Sequence, residues 1–278
     1  MKILITGARG MLGTDLAAHL STNHTCYAFG RREFDVTDRD GTLRVVRDVK
    51  PDMIIHTASY NAVDDCEANP ARAFGVNAEG SRNIAEAAAD LGIPIISFST
   101  DYVFDGEKGA PYIETDTPNP LSVYGRSKLA GENYVRAATD KHFIVRVQWL
   151  FGVNGKNFVT TIIKAARERG SLTVVDDQWG CPTYTRDLCG AVSDLTERGG
   201  YGTYHISNSG VVTWYGFTRE ILRQAGINAD IAPCTTDGYP RPAKRPRFSP
   251  LDNAKFAVVG CTPLRPYEEA LSDYLSHI

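Results

Sequence analysis

The chain has no cysteine pair at the spacing of a metal clip. Its six cysteines (Cys26, Cys66, Cys181, Cys189, Cys234 and Cys261) form no CxxC, and none has a histidine nearby at zinc spacing. They are expected to be reduced, mostly buried thiols, because free cysteine behaves as a small hydrophobe. The six histidines form no cluster either, so no metal site is expected. No run approaches the ~18 apolar residues that a membrane helix requires. The first apolar run starts at Lys2 and meets Gly7 at once, without the n-region and h-region of a signal peptide, so a cytoplasmic location is expected. Internal repeats and low-complexity segments are absent. A formal net charge of −3 gives no reason to expect nucleic acid or a membrane surface as partner. What is present is ordinary for a folded chain: 278 residues, 42% hydrophobic and 23% charged, enough for one large α/β domain or two smaller ones.

The N-terminal half alternates short apolar runs with helical patterns, which predicts a parallel α/β sheet. Lys2–Thr6 reads as a strand, and Gly7-Ala8-Arg9-Gly10-Met11-Leu12-Gly13 turns it into a helix ending near Leu20. Glycines at 7, 10 and 13 permit a tight turn, approach of a pyrophosphate to the backbone, and close helix–strand packing. The helix N-terminus then offers N–H donors to phosphate. After the second strand, Thr25–Phe29, a dehydrogenase specific for NAD carries an acid for the ribose hydroxyl. This chain has Gly30-Arg31-Arg32 instead. Arginine suits a 2′-phosphate, so NADPH is expected, with NADH left open; the other reading is that Arg31 and Arg32 are simply solvated. Asp35 and Val36 follow, where adenine would lie. A third strand, Met53–His56, ends in the small residues Thr57-Ala58-Ser59, then Tyr60 and Asn61, at the same crevice. One long helix is expected from about Pro70 to Leu91, with Asn77 facing the sheet in a structural role.

The stretch that carries chemistry comes next. Ile93–Phe98 leads as a buried strand into Ser99 and Thr100, and the following helical pattern holds Tyr124 and Lys128 four residues apart, on one face. A hydroxyl at a strand end, a phenol and an ammonium make a proton relay for carbonyl chemistry; the ammonium is expected to lower the tyrosine pKa. Residues 105–121, rich in Gly, Pro and acids, read as a flexible loop and a lid over substrate. Trp149 reads equally as core or as an apolar wall against a sugar ring. Pro240–Arg247 carries four positive charges in seven residues, which fits a diphosphate clamp as well as a solvated loop.

The runs STDYVFDG (99–106), YGRSK (124–128), VQWLFG (147–152), GxNFV (155–159), DQWGCPTY (177–184), YGTYHISN (201–208) and RPRFSPLD (245–252) resemble the dTDP-4-dehydrorhamnose reductase family. That family belongs to the extended short-chain dehydrogenase/reductases, and the resemblance spans essentially the whole chain. Sister nucleotide-sugar dehydratases place an Asp-Glu pair after the threonine, whereas here Asp101 and Tyr102 follow Thr100. The resemblance implies a Rossmann-type doubly wound parallel sheet with a smaller C-terminal substrate-binding lobe. Residues 1–152, with 176–208 returning, would bind the cofactor, and 209–278 with part of 153–175 would form the lobe. It also implies NAD(P)H-dependent reduction of a nucleotide-sugar C4 ketone in polysaccharide biosynthesis. Tyr124 would donate the proton, Lys128 hold the ribose hydroxyls, and Thr100 polarise the ketone. Gly10, Met11 and Leu12 would meet the pyrophosphate, Asp35 and Val36 the adenine, and Ser59, Tyr60 and Asn61 the inner ribose. Asp101, Trp149 and Arg245 would contact the sugar nucleotide. Some members carry a Glu on the first helix that helps hold Mg²⁺ at a dimer interface; Asp15 stands there in this chain, which leaves both Mg²⁺ and a homodimer open. Two competing readings are a reductase or epimerase of another nucleotide-deoxysugar and a non-catalytic NADP-binding regulatory subunit.

Overall fold

The computed structural model describes residues 1–278. Six strands, β1 (Lys2–Thr6), β2 (Thr25–Phe29), β3 (Met53–His56), β4 (Ile95–Thr100), β5 (His142–Val147) and β10 (Gly202–His205), form one sheet. All pairings in it are parallel, in the order β10-β5-β4-β3-β1-β2. The central strands are nearly continuous apolar runs because helices cover both faces. Successive side chains alternate between those faces. Ile3, Ile5, Ile55, Ile96 and Val145 pack with Leu16 of α1 (Met11–Leu20) and with Leu188 and Leu195 of α8 (Thr185–Arg198). Leu4, Ile54, Ile95 and Ile144 pack on the opposite side. There they meet α2 (Arg39–Val49) through Val46, α5 (Gly80–Leu91) through Ile84, and α6 (Val123–Ala138) through Val135.

A separate core lies beyond the sheet's C-terminal edge. It joins β6 (Leu150–Phe151), α7 (Phe158–Arg169), β9 (Thr183–Tyr184), α9 (Trp214–Gln224) and α11 (Tyr267–Leu275) around Phe151, Ile162, Tyr184, Phe217 and Leu271. Asn157 starts α7 with a capping box: its side chain accepts from Thr160 N, while the Thr160 hydroxyl meets the Asn157 backbone. Two short strands, β7 (Ser171–Val175) and β12 (Asp230–Cys234), pair in parallel at the rim; β8 (Trp179–Gly180) and β11 (Val212–Thr213) pair antiparallel. The strand β12 has no apolar run to betray it, since three of its five residues are polar, proline or cysteine and its faces stay partly exposed. Phe256, on α10 (Ala254–Val258), and Cys261 return to the first core.

The expected single helix over 70–91 is divided. After α3 (Val63–Ala68), α4 (Pro70–Phe74) leads into one π-helical turn, Gly75–Glu79, before α5. Such a turn re-aims side chains and occurs at functional sites. Here it holds Asn77, 1% exposed, against the loop after β3.

Candidate active site

The strand order reverses between β1 and β3, and the loops leaving their carboxyl ends part to form a crevice. The cleft that opens there has a volume of about 680 Å³. Gly7 sits at φ +68°, and a Cβ on it would lie 2.6 Å from the Ala58 nitrogen, so only glycine lets the two loops approach. Gly10 caps α1 without a side chain, which leaves the first N–H groups of the helix, at Met11, Leu12 and Gly13, facing the cleft for an anionic ligand. That is the cradle a dinucleotide pyrophosphate needs.

At the end of β2, Glu33 accepts from the Gly30 N–H (2.6 Å) and from Arg9 (2.7 Å). Arg31 lies 3.7 Å from Asp35. Arg9, Arg31, Asp35 and Val36 line the cleft, and Arg32 does not. Across the cleft, Asn77 Oδ1 accepts from Tyr60 N (2.8 Å) and Ser59 Oγ (3.1 Å), while its Nδ2 donates to Tyr60 O (3.0 Å) and Ser127 Oγ (2.9 Å). Ser127 lies between Tyr124 and Lys128 in sequence, so this one carboxamide ties Ser59 and Tyr60 to the helix bearing the relay. The structural role expected for Asn77 is the one it has.

Helix α6 begins at Ser122, whose hydroxyl accepts from Gly125 N (3.1 Å). Tyr124 and Lys128, one turn apart, both line the cleft beside Thr100. Lys128 Nζ donates to the Phe98 carbonyl of β4 (2.7 Å). Burial pulls its pKa down to about 8, with Glu132 opposing. The expected lowering of the Tyr124 pKa is not what the structure gives. Burial raises it, the nearby Thr100 hydroxyl offsets part of the rise, and the Lys128 ammonium, anchored on the strand, is not among the groups that move it. A half-buried phenol of raised pKa holds its proton, as an acid must.

Thr100 accepts from Tyr102 N (3.2 Å) and donates to Asp101 Oδ1 (3.1 Å). Asp101, 1% exposed, also accepts from Ser249 (2.7 Å), and burial pushes its pKa up to about 6. Trp149 lines the cleft and also packs, half-buried, against the second core. It stacks on Trp214 with centroids 3.4 Å apart, and Gly180 leaves the space its ring fills, since a Cβ there would lie 2.5 Å from the indole.

Two further expectations differ from the structure. Arg245 does not line the cleft; its guanidinium bonds Asp64 (3.0 and 3.1 Å), as Arg241 does (2.9 Å through Nε), so these arginines grip a carboxylate of the chain itself. Residues 105–121 contribute nothing to the cleft and are pinned rather than lid-like. Tyr112 stacks on Phe104 at 4.0 Å, donates to Asp105 (2.7 Å) and accepts from the Gly106 and Glu107 N–H groups. The Asp15 carboxylate accepts from Asn154 (2.6 Å) and from Thr185, and no group of three or more His, Cys, Asp or Glu converges as a metal site would.

Arg9, Gln148 and Trp214 also stand in the cleft wall, beyond the residues expected from the sequence. Arg9 was detectable as the basic residue inside the glycine-rich turn. Trp214 carried no local signal, because its partner Trp149 is distant in sequence. No helix of the chain is long and apolar enough to cross a membrane.

Comparison with known proteins agrees with this geometry. The family model for the RmlD substrate binding domain matches residues 1–278. A dTDP-4-dehydrorhamnose reductase of Mycolicibacterium smegmatis is 39% identical, over 100% of this chain and 86% of that protein. Among solved structures, a dTDP-4-dehydrorhamnose reductase of Clostridium acetobutylicum superposes with a TM-score of 0.97 at 41% identity, covering 100% of this chain and 99% of that one. The Bacillus anthracis dTDP-4-dehydrorhamnose reductase, solved in complex with NADP, does so at 0.97 and 36% identity with the same coverage. A match over the whole length to both the family model and these structures means that the chain belongs to the RmlD substrate binding domain family.

Proposed function

We propose that this chain reduces the C4 ketone of dTDP-4-dehydro-L-rhamnose to dTDP-L-rhamnose with NADPH, accepting NADH less well. The observation that carries this reading is the convergence of Thr100, Tyr124 and Lys128 on one cleft with the glycine-rich turn, in a chain similar along its whole length to an NADP-bound dTDP-4-dehydrorhamnose reductase. Residues 1–152 and 176–208 would hold the cofactor: Gly7, Gly10, Met11, Leu12 and Gly13 at the pyrophosphate, Arg31 at the 2′-phosphate, Asp35 and Val36 at adenine, and Ala58, Ser59, Tyr60 and Asn61 at the inner ribose. The core of 209–278, with part of 153–175, would face the nucleotide sugar. A soluble substrate of this kind fits an enzyme working in the cytosol.

When bound, the reduced nicotinamide supplies a hydride to the carbonyl carbon. The chain's own residues do the rest. Thr100 turns its hydroxyl from Asp101 to the carbonyl oxygen and polarises it. Tyr124 gives its phenolic proton to that oxygen as the negative charge develops, which makes the net change one hydride and one proton. Lys128, an ammonium below its pKa of about 8 and held by the Phe98 carbonyl, takes the ribose hydroxyls. Trp149 supplies an apolar face to the sugar.

The test is NADPH oxidation with dTDP-4-dehydro-L-rhamnose generated in situ. Oxidation should require the sugar nucleotide, and Tyr124→Phe should lower kcat by at least ~10²-fold with cofactor affinity nearly intact. Unchanged turnover in that variant would remove Tyr124 from the reaction. Tight NADPH binding without oxidation would favour a different ketosugar nucleotide.

A further inference from the structure

Three polar side chains in the wall of the cleft have nothing to bond within the chain, Tyr60, Ser99 and Gln148, and of these only Gln148 leaves two groups unpaired. Gln148 is 2% exposed, and neither Oε1 nor Nε2 has a hydrogen-bond partner within the chain. An amide taken out of water and left unpaired costs its desolvation with no return. The Cys181 thiol lies beside it, but a thiol is too weak a partner to satisfy a carboxamide. Methionine would fill similar space without that cost, so the residue type calls for an occupant from outside the chain.

Its place in the fold narrows what that occupant is. Val147, the residue before it, pairs with Thr100 across β4 and β5, so Gln148 stands at the same strand end as the hydroxyl assigned to the carbonyl. Trp149, the residue after it, takes φ +48°, a left-handed conformation uncommon for a bulky side chain. Successive side chains of an extended strand face opposite ways. The left-handed residue interrupts that alternation, and Gln148, Trp149 and Leu150 all contribute to the cleft wall. A carboxamide offers an acceptor and two donors without charge, which matches a hydroxyl better than a phosphate or a carboxylate. Resting on the function proposed above, we infer that Gln148 brackets the hydroxyl on the sugar carbon next to the reacting carbonyl, and so selects which ketosugars are positioned for reduction.

Gln148→Met keeps the shape and removes both polar groups. With dTDP-4-dehydro-L-rhamnose, kcat/KM should fall about 10- to 100-fold, while Kd for NADPH and for dTDP alone stays within about twofold. A substrate analogue lacking that hydroxyl should lose a similar factor with the wild type and nothing further with the variant. Without ligands, the variant should melt about 2–6 °C higher, because an unpaired amide has been replaced by apolar surface. Equal kcat/KM in the two proteins, or a variant that melts lower than the wild type, overturns the inference: the amide is then idle or part of the framework. A wild type that leaves this sugar untouched while the melting shift appears overturns the proposed substrate instead, and supports Gln148 as the contact for another hydroxylated ligand.

Discussion

Arg9 and Arg31 reach the same end of the cleft but are held differently. Arg9 is spoken for by Glu33 at 2.7 Å, whereas Arg31 has only the looser Asp35 at 3.7 Å. Both side chains are more than two-thirds exposed, so neither ion pair contributes much in the absence of ligand. The less committed guanidinium is the better one to meet a 2′-phosphate, with its planar fork free to bond two oxygens. Arg31→Ala should therefore raise Kd for NADPH by about tenfold and leave Kd for NADH within about twofold, an effect that added salt shrinks. Equal losses for the two cofactors, read by titration of each, would put the phosphate elsewhere. Arg32, its neighbour, should behave like any solvated surface residue, since its side chain is outside the cleft.

Between elements, the tie that organises the site is Asp64 in the first turn of α3. It accepts from Arg241, Arg245 and the Ala243 N–H, and so fastens the 240–247 loop across to the segment that follows β3. Burial alone would raise the Asp64 pKa; the bonds from Arg245 and Arg241 outweigh it and hold the carboxyl below its usual range. Arg245 also lies against Tyr102, whose ring meets Tyr124 edge-on at 5.6 Å. Asp64→Ala should loosen this loop, with amide exchange across 241–247 faster by at least ~10-fold and KM for the nucleotide sugar raised about 5- to 20-fold, NADPH affinity unchanged. Exchange as slow as in the wild type would show that the loop is held by other contacts. None of this was legible in the sequence, because Asp64 and Arg245 are 181 positions apart and nothing local to either one names the other as its partner. What was legible rested on local pattern: the glycine turn after β1, the apolar strands, the Tyr124/Lys128 spacing. The direction of the Tyr124 pKa is hidden from the sequence for the same reason as the pairing of the arginines. Spacing set the lysine beside the tyrosine, but only the fold reveals that Lys128 is buried, that Tyr124 is half-buried, and that the ammonium is bonded to Phe98.

Across the whole molecule, acid stability turns on groups buried beneath the cleft. His56 bonds Thr6 (2.8 Å) and Ser81 (3.2 Å); His205 meets the Tyr112 carbonyl at Nδ1 (2.9 Å) and the Arg146 guanidinium at Nε2 (3.3 Å). A carbonyl can only accept and a guanidinium only donate, so His205 is the neutral tautomer protonated at Nδ1. Burial, aided by Lys128 at His56 and by Arg146 at His205, pulls both pKa values down to about 3. Unfolded, both imidazoles titrate near ~6.5. Below that pH the unfolded chain binds two protons that the folded chain refuses, so stability falls as pH falls. Asp101 acts in the opposite sense, because its folded pKa of about 6 lies above the ordinary 3.8 and the folded state takes up the extra proton. Two imidazoles against one carboxyl leave a net difference of about one proton between about pH 5.5 and 6, above the range where carboxyls of lowered pKa such as Asp64 and Glu132 add to it, or roughly 1.4 kcal/mol of stability lost per pH unit. Urea unfolding across that window should give this slope for the wild type. His205→Gln should flatten it almost to zero, and Asp101→Asn should roughly double it. A slope that stays the same in both variants would mean that surface carboxylates, and not these buried groups, set the acid limit of the fold.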